Sequence, residues 1–225
     1  MKLSANTIAT LKNFSSINAG LVIKGPTDTL KSISIMRNIV VQAKIEEELP
    51  ECAFYNLPEL LSVISLFKDP DVEFMDKYVI IGNGRSKVKY SYSDPAVIVA
   101  PTKDITPPPM DISFSISQES LAELIKSAAV LQLPDVVVEG DGEGITISAK
   151  DIKNPSSNTF SQEVSNASEY DATSFSMVFK AESLQKLRPG SYDVEISSRK
   201  ISRWTGESND TVYFLSLEST SKYEE

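Results

Sequence analysis

Few side chains in this sequence can do covalent chemistry. Cys52 is its one cysteine and there is no histidine, so neither a Ser/His/Asp nor a Cys/His nucleophile can be assembled, and the commonest zinc ligand is missing. A lone cysteine forms no internal disulfide and no multi-cysteine metal site. Cys52 is read as a small buried apolar residue, and no metal or cofactor is implied. Two glycine-rich runs, Gly82-x-Gly84 and Gly140-x-Gly142-x-Gly144, suggest phosphate loops, but neither opens a helix and neither has the G-x-x-x-x-G-K-S/T spacing. They are read as hairpin turns. Glu46, Glu47 and Glu48 are adjacent, whereas a calcium loop needs ligands at alternate positions, so they are read as solvated charge. A carboxylate pair of the glycosidase kind leaves no fixed spacing in a sequence, and nothing here points to one.

The side chains with an informative pattern are the basic ones. The 225 residues carry 22 Lys+Arg against 31 Asp+Glu, a net of −9, which runs against the basic character expected of a nucleic-acid binder. The excess is uneven: Met1 to Pro109 holds 12 basic and 12 acidic residues, Met110 to Glu225 holds 10 and 19. Four segments with helical character, Lys2 to Asn18, Leu57 to Lys68, Ser117 to Gln132 and Lys180 to Arg188, reverse the trend. They hold Lys2, Lys12, Lys68, Lys126, Lys180, Lys186 and Arg188 against Glu59, Glu119, Glu123 and Glu182, a net of +3, which leaves −12 elsewhere. Two readings stand. Acids early and bases late in a helix suit its macrodipole. Alternatively, helices sharing one side would give an acidic protein a weakly basic face that neutralises phosphates without reading bases.

The elements that must position these residues fall into two halves. The run APTKDITPPPM, Ala100 to Met110, excludes helix and central strand and reads as an extended linker, giving domains 1–109 and 110–225. Ser4 is placed to cap a helix with Ile8, Leu11, Phe14 and Ile17 on one stripe, and Ser117, 113 residues later, a helix with Leu121, Leu124, Ile125 and Ala128. A second pair follows: Leu57 to Phe67 with Pro58 in its first turn, and a short helix at Ala181 to Leu187 before Pro189-Gly190. Between them run β-branched or alternating strands: Leu21 to Lys24, Leu30 to Met36, Val40 to Ile45, Val72 to Phe74, Val79 to Ile81 and Lys87 to Tyr92. The second half offers Val136 to Glu139, Ile145 to Ala149, Phe175 to Phe179, Tyr192 to Ser197 and Val212 to Leu217. Gly82-Asn83-Gly84 and Asp141-Gly142 suit hairpins, so pairing should be antiparallel. Each half reads as two helices on an antiparallel sheet, an α+β class with internal duplication. The N-terminus has no apolar signal region and the longest mostly apolar stretch, Leu60 to Phe67, is far short of a bilayer span. No membrane role and a cytosolic site are expected, and sequon-like triplets such as Asn166-Ala167-Ser168 carry no message.

Six segments in order, MKLS (Met1 to Ser4), LKNFSSIN (Leu11 to Asn18), NLPELLSVISL (Asn56 to Leu66), DPAVIVAP (Asp94 to Pro101), LRPGSYDV (Leu187 to Val194) and YFLSLES (Tyr213 to Ser219), together resemble the sliding clamps of T-even-like bacteriophages. The stretches Gly25 to Met36 and Asp151 to Ser174 match poorly. The resemblance implies a homotrimeric ring, each subunit with two similar domains of the DNA-clamp fold, antiparallel sheets outside and helices lining a hole for duplex DNA. It implies a processivity factor without catalytic activity, opened by an ATP-driven clamp loader, bound to the C-terminal tail of the replicative DNA polymerase and engaged in late transcription. Such a protein works in the cytoplasm of an infected bacterium.

Carried over by position, the resemblance makes Lys12 and Lys186 candidates to face DNA, together with Lys2, Lys68, Lys126, Lys180 and Arg188 of the same segments. Ala129 stands where the family has a further basic residue, which implies weaker phosphate contact at that helix. Arg85, Val88, Tyr90 and Tyr92 resemble an edge strand at the subunit interface, and Phe160 and Val164 the partner edge of the next subunit. The polymerase-tail pocket is placed by analogy at Ile105 and Pro107 of the linker and at Phe214 and Leu215. A non-enzymatic β-rich viral structural or adaptor protein is the alternative, and a carboxylate-dependent hydrolase a third reading.

Overall fold

A computed structural model describes residues 1–103, 105–141, 144–164 and 174–224. Gly142 of the expected second hairpin turn, the triplet at Asn166 and the final Glu225 lie outside the described residues. Tertiary contacts divide the chain into two compact units, Met1–Asp104 and Ile105–Glu225.

The first unit opens with α1 (Ala5–Ile17), capped by Ser4, whose side chain accepts the N–H of Thr7 at 3.1 Å. Glu47 reaches the same turn, accepting from the Ser4 N–H and the Thr7 hydroxyl. The middle of the acidic run is therefore a second cap for α1, where the positive pole of the helix favours a carboxylate. Strands β1 (Leu21–Ile23), β2 (Thr27–Ile33), β3 (Ile39–Leu49) and β4 (Cys52–Phe54) follow, then α2 (Leu57–Ser65), β5 (Asp71–Phe74), β6 (Tyr78–Gly82) and β7 (Lys87–Ser91). β1 pairs with β4, β2 with β3, and β5–β6–β7 form a meander, all antiparallel. β2 stops at Ile33, short of the expected Met36. Ser34 ends it, its N–H bonded to the Ile39 carbonyl at 2.9 Å and its hydroxyl accepting from Asn38 and Ile39, each at 3.1 Å.

The second unit repeats the order. β8 (Ile112–Ile116) leads into α3 (Gln118–Val130), then β9 (Asp135–Gly140), β10 (Ile145–Lys150), β11 (Phe160–Glu163) and β12 (Ser174–Lys180). α4 (Ala181–Leu184), β13 (Tyr192–Ser197), β14 (Ile201–Gly206), β15 (Thr211–Ser216) and β16 (Lys222–Glu224) complete it. Here too Ser117 caps the helix through the Ser120 N–H at 3.1 Å. β9 pairs with β12 as β1 pairs with β4, β10 with β11 as β2 with β3, and β13–β14–β15 repeats the β5–β6–β7 meander. Even the strand ahead of the helix has its counterpart: β8 pairs with β13, and Met1 exchanges hydrogen bonds of 2.9 and 2.8 Å with Val72 of β5. Apart from β16, which pairs with β12 and has no counterpart strand among the described residues of the first unit, this match is the expected duplication.

Each unit buries its own core. In the first, Phe14, Leu57 and Ile81 are fully enclosed, and Phe54 packs edge-on against Tyr92 at 5.5 Å. In the second, Trp204 lies between Phe179 and Tyr192 at 5.9 and 6.2 Å, with its indole N–H donating to Ser202 at 3.0 Å. Cys52 is buried as expected, and burial pushes its thiol up to about 12. No helix among the described residues is long and apolar enough to cross a membrane.

Candidate nucleic-acid interface

α1 buries Leu11, Phe14 and Ile17, and α3 buries Leu121, Leu124 and Ala128. At 100° per residue, Lys12 and Lys126 fall on the opposite faces of their helices, and both are exposed. Lys68 is exposed beyond the end of α2. No hydrogen bond or ion pair engages these three ammonium groups among the described residues.

Two other candidates are committed inside the protein. The Lys2 ammonium is paired with the Asp69 carboxylate. Lys180 lies at the end of β12, its ammonium 2.7 Å from Asp135 and 3.8 Å from Glu218. Asp135 is almost fully buried, and its hydrogen bond is the main reason that the Lys180 pKa is raised. Lys180 thus neutralises a buried carboxylate.

The helices as folded are shorter than the segments whose charge was counted. α4 ends at Leu184, and Lys186 and Leu187 continue it only through i→i−3 bonds of 3.2 and 3.1 Å. Within the four helices, Lys12 and Lys126 stand against Glu59, Glu119, Glu123 and Glu182. Two cations against four carboxylates is −2, so the net positive charge of the segments comes from the five flanking cations Lys2, Lys68, Lys180, Lys186 and Arg188 and not from the helix bodies. The flank after α4 is firmly built. The Arg188 N–H donates to the Tyr213 phenol at 3.1 Å, and the Tyr192 hydroxyl donates to the Arg188 carbonyl at 2.6 Å. Both rings are fully buried, so Lys186 and Arg188 sit on a loop anchored to the core. Sequence reasoning missed the Tyr213 anchor because it lies 25 positions from Arg188.

The residues expected at a subunit contact fall on two sheet edges. β7 pairs with β6 on one side only and carries Val88 and Tyr90. Arg85 lies in the turn before it and Tyr92 just after it. The single Tyr90 O–H is shared between the Asn56 carbonyl at 3.1 Å and the Glu59 carboxylate at 3.0 Å, and its ring and that of Tyr92 pack on Phe54. These tyrosines brace β7 from behind. β11, at the edge of the five-stranded sheet, carries Phe160, and the Val164 N–H extends its pairing to the Ile145 carbonyl at 2.9 Å.

The residues expected at a polymerase-tail pocket divide. Ile105 and Pro107 are half-buried in irregular chain, but Phe214 and Leu215 are buried within β15. Leu215 is fully enclosed and has no surface to offer a partner, which corrects that part of the expectation. A cleft of about 410 Å³ lies instead beside the start of the linker, lined by Lys24, Leu30, Lys31, Pro101 and Lys103. Lys24 fixes the linker there by donating to the Pro101 carbonyl at 2.8 Å.

No family model matches the chain. It is 34% identical over 226 residues to the sliding clamp of Vibrio phage KVP40, covering 97% of this chain and 100% of that protein. It is 28% identical over 231 residues to the sliding clamp of Escherichia phage RB69, covering all of both. Among solved structures, PCNA from Thermococcus kodakaraensis superposes with a TM-score of 0.71 at 11% identity, covering 96% of this chain and 98% of that one. A. fulgidus PCNA bound to the C-terminal region of FEN-1 gives 0.69 at 13% identity, covering 96% of each. The Helicobacter pylori beta clamp bound to a DNA ligase peptide gives 0.70 at 14% identity, covering 100% of this chain and 67% of that one. At such identities the structural likeness establishes the α+β clamp fold. The likeness of sequence runs end to end along a phage protein, and on that ground the chain belongs to the sliding-clamp family.

Proposed function

We propose that this protein encircles duplex DNA as a homotrimeric ring and tethers the replicative DNA polymerase for processive synthesis in the cytoplasm of an infected bacterium, without catalytic activity of its own. The observation that carries this reading is 34% identity to a phage sliding clamp over 97% of the chain, joined to the repeat of helix pair and meander in both units. Enclosure supplies persistence, so the lining needs few cations. Lys12, Lys68, Lys126, Lys186 and Arg188 meet that need with sequence-independent phosphate contacts, while the −9 net charge discourages unproductive binding outside. An ATP-driven clamp loader opens the ring. The polymerase tail, and late-transcription factors with it, docks along the linker near Ile105 and Pro107. Partner peptides bound to two clamps of the same fold support a peptide-sized site. The relatives are sliding clamps, and the alternative of a β-rich structural or adaptor protein has no support among them.

The test is topological. Loaded by its cognate loader onto a nicked circle, the protein should stay bound through gel filtration and be lost when the circle is cut. It should also lengthen the products of the cognate polymerase. Equal retention on cut and uncut DNA would sink the reading.

A further inference from the structure

β7 and β11 are short edge strands of five and four residues, each paired on one side. Their charges are unevenly placed: β7 has Arg85 and Lys87 at its start and Lys89, lying over the Tyr78 ring at 4.2 Å, at its middle, whereas the one charge of β11, Glu163, is at its finish. At the start of β7, Arg85 and Lys87 are exposed, and among the described residues neither side chain has a hydrogen-bond or ion-pair partner. The far end, Tyr90 and Ser91, is neutral. At the finish of β11, exposed Glu163 lines a cleft of about 270 Å³ together with exposed Glu207, which follows β14. Neither carboxylate has a partner among the described residues, and the opposite end of β11, at Phe160, is neutral.

Every strand pair described within the two units is antiparallel. If β7 of one copy meets β11 of the next in the same sense, the Lys87 end lies against the Glu163 end. Parallel pairing with Lys87 beside Phe160 would set Tyr90 beside Glu163, leaving Arg85 and Lys87 away from any carboxylate of β11 and only Lys89 one position from it. Lysine on an edge strand also serves to repel unwanted pairing, but that role needs no acids at the matching end of another edge.

We propose that the head-to-tail contact between copies of this chain is latched by charge at one end, Arg85 and Lys87 of one copy against Glu163 and Glu207 of the next. This rests on the ring reading above and adds to it what fixes the direction of edge pairing and what loosens it. Each exposed ion pair is individually weak, whereas like charges set against each other are costly and oriented pairs select register. Such a latch is screened by salt within about 10 Å at about 0.1 M, so the ring opens more readily as ionic strength rises.

The experiment is the mass distribution of the full chain in solution, by sedimentation or mass photometry, from about 0.05 M to about 1 M salt, with melting followed in parallel. Wild type should associate and weaken with salt. Lys87→Glu and Glu163→Lys should each weaken association by about tenfold or more, and the double exchange in one chain should recover most of it, an equimolar mixture of the single variants less, because a three-membered ring of the two keeps one like-charged contact. If wild type associates but the single reversals match it, or the exchange restores nothing, the latch is wrong and the ring reading stands. Should Lys87→Glu reduce DNA retention while leaving association intact, β7 serves DNA and the latch is again wrong. A wild type that stays monomeric at every salt concentration overturns the ring reading itself. Lys87→Ala, which removes charge without repulsion, should show an intermediate loss.

Discussion

Tyr213 accepts the backbone N–H of Arg188 at 3.1 Å from a fully buried ring. Tyr192, 6.1 Å away between ring centres, donates to the carbonyl of the same residue. A backbone fixed at both of its polar groups cannot drift, so the basic loop after α4 presents Lys186 and Arg188 in one place. Tyr213→Phe keeps the ring and removes the acceptor. It should lower stability by about 1 kcal/mol, a fall in Tm of about 2–4 °C for a chain of this size. It should also weaken retention on circular DNA in the direction that Arg188→Ala does. Unchanged retention despite a lowered Tm would show that the anchor matters to the fold alone.

The lysines divide into two groups that mutation should separate. Lys12 and Lys126 are exposed and unpaired among the described residues, whereas Lys2 is held by Asp69. Lys12→Glu and Lys126→Glu should each reduce the salt dependence of DNA retention by about one unit of the log–log slope for each phosphate that is no longer neutralised. Stability should move by no more than about 0.5 kcal/mol, as is usual for surface sites. Lys2→Ala should leave the slope as it is. A common effect of all three on retention would mean that overall charge, and not position, sets the affinity.

Lys180 belongs to the fold, as its distance of 2.7 Å from the nearly buried Asp135 indicates. Asp135 also accepts the Ile152 N–H at 3.3 Å, so the pair ties the end of β12 to the chain after β10. Removing one partner of such a pair strands the other charge. Lys180→Ala should cost about 3 kcal/mol, read from denaturant midpoints. Asp135→Asn, which keeps a hydrogen-bonding side chain of the same shape, should cost less. Equal and small losses would place the pair among weak surface contacts.

What was legible in the sequence followed from local chemistry. Ser4 and Ser117 announced α1 and α3 because a hydroxyl three residues ahead of an N–H is a helix cap wherever it occurs. The apolar stripes behind them named the core faces. β14 was invisible because its inward positions are Ser202 and Trp204 while Ile201 and Arg203 face out, which breaks the apolar alternation by which strands are found. β4, at three residues, is shorter than any useful period. The charge count misled in the same way: it took segments whole, and only tertiary structure shows that Lys180 belongs to Asp135 and Glu47 to the cap of α1. Pairings across 25 to 45 residues, such as Arg188 with Tyr213 or Lys180 with Asp135, leave no local trace.

Alkaline pH should unfold the protein. Burial is the first cause in each case: it raises the Cys52 thiol from 9.0 to about 12 and the Tyr90 and Tyr92 phenols from 10.0 to about 12. The phenols of Tyr192 and Tyr213 move the same way, again through burial, and Lys180 rises through its bond to Asp135. All of these groups hold their protons longer in the folded state than in the unfolded one. Their contribution is complete below the ordinary value of each group and is lost as pH rises through the folded value. Stability should therefore begin to fall above pH 9.0, where the unfolded thiol ionises, and fall faster above 10.0, where the phenols do. With no histidine in the chain, no imidazole adds a step near neutrality. Denaturant midpoints followed against pH, with tyrosinate absorbance recorded alongside, check the sign: phenolate should appear together with loss of structure. Titration of the buried phenols near their ordinary values in a still-folded protein would show that the cores of both units admit water.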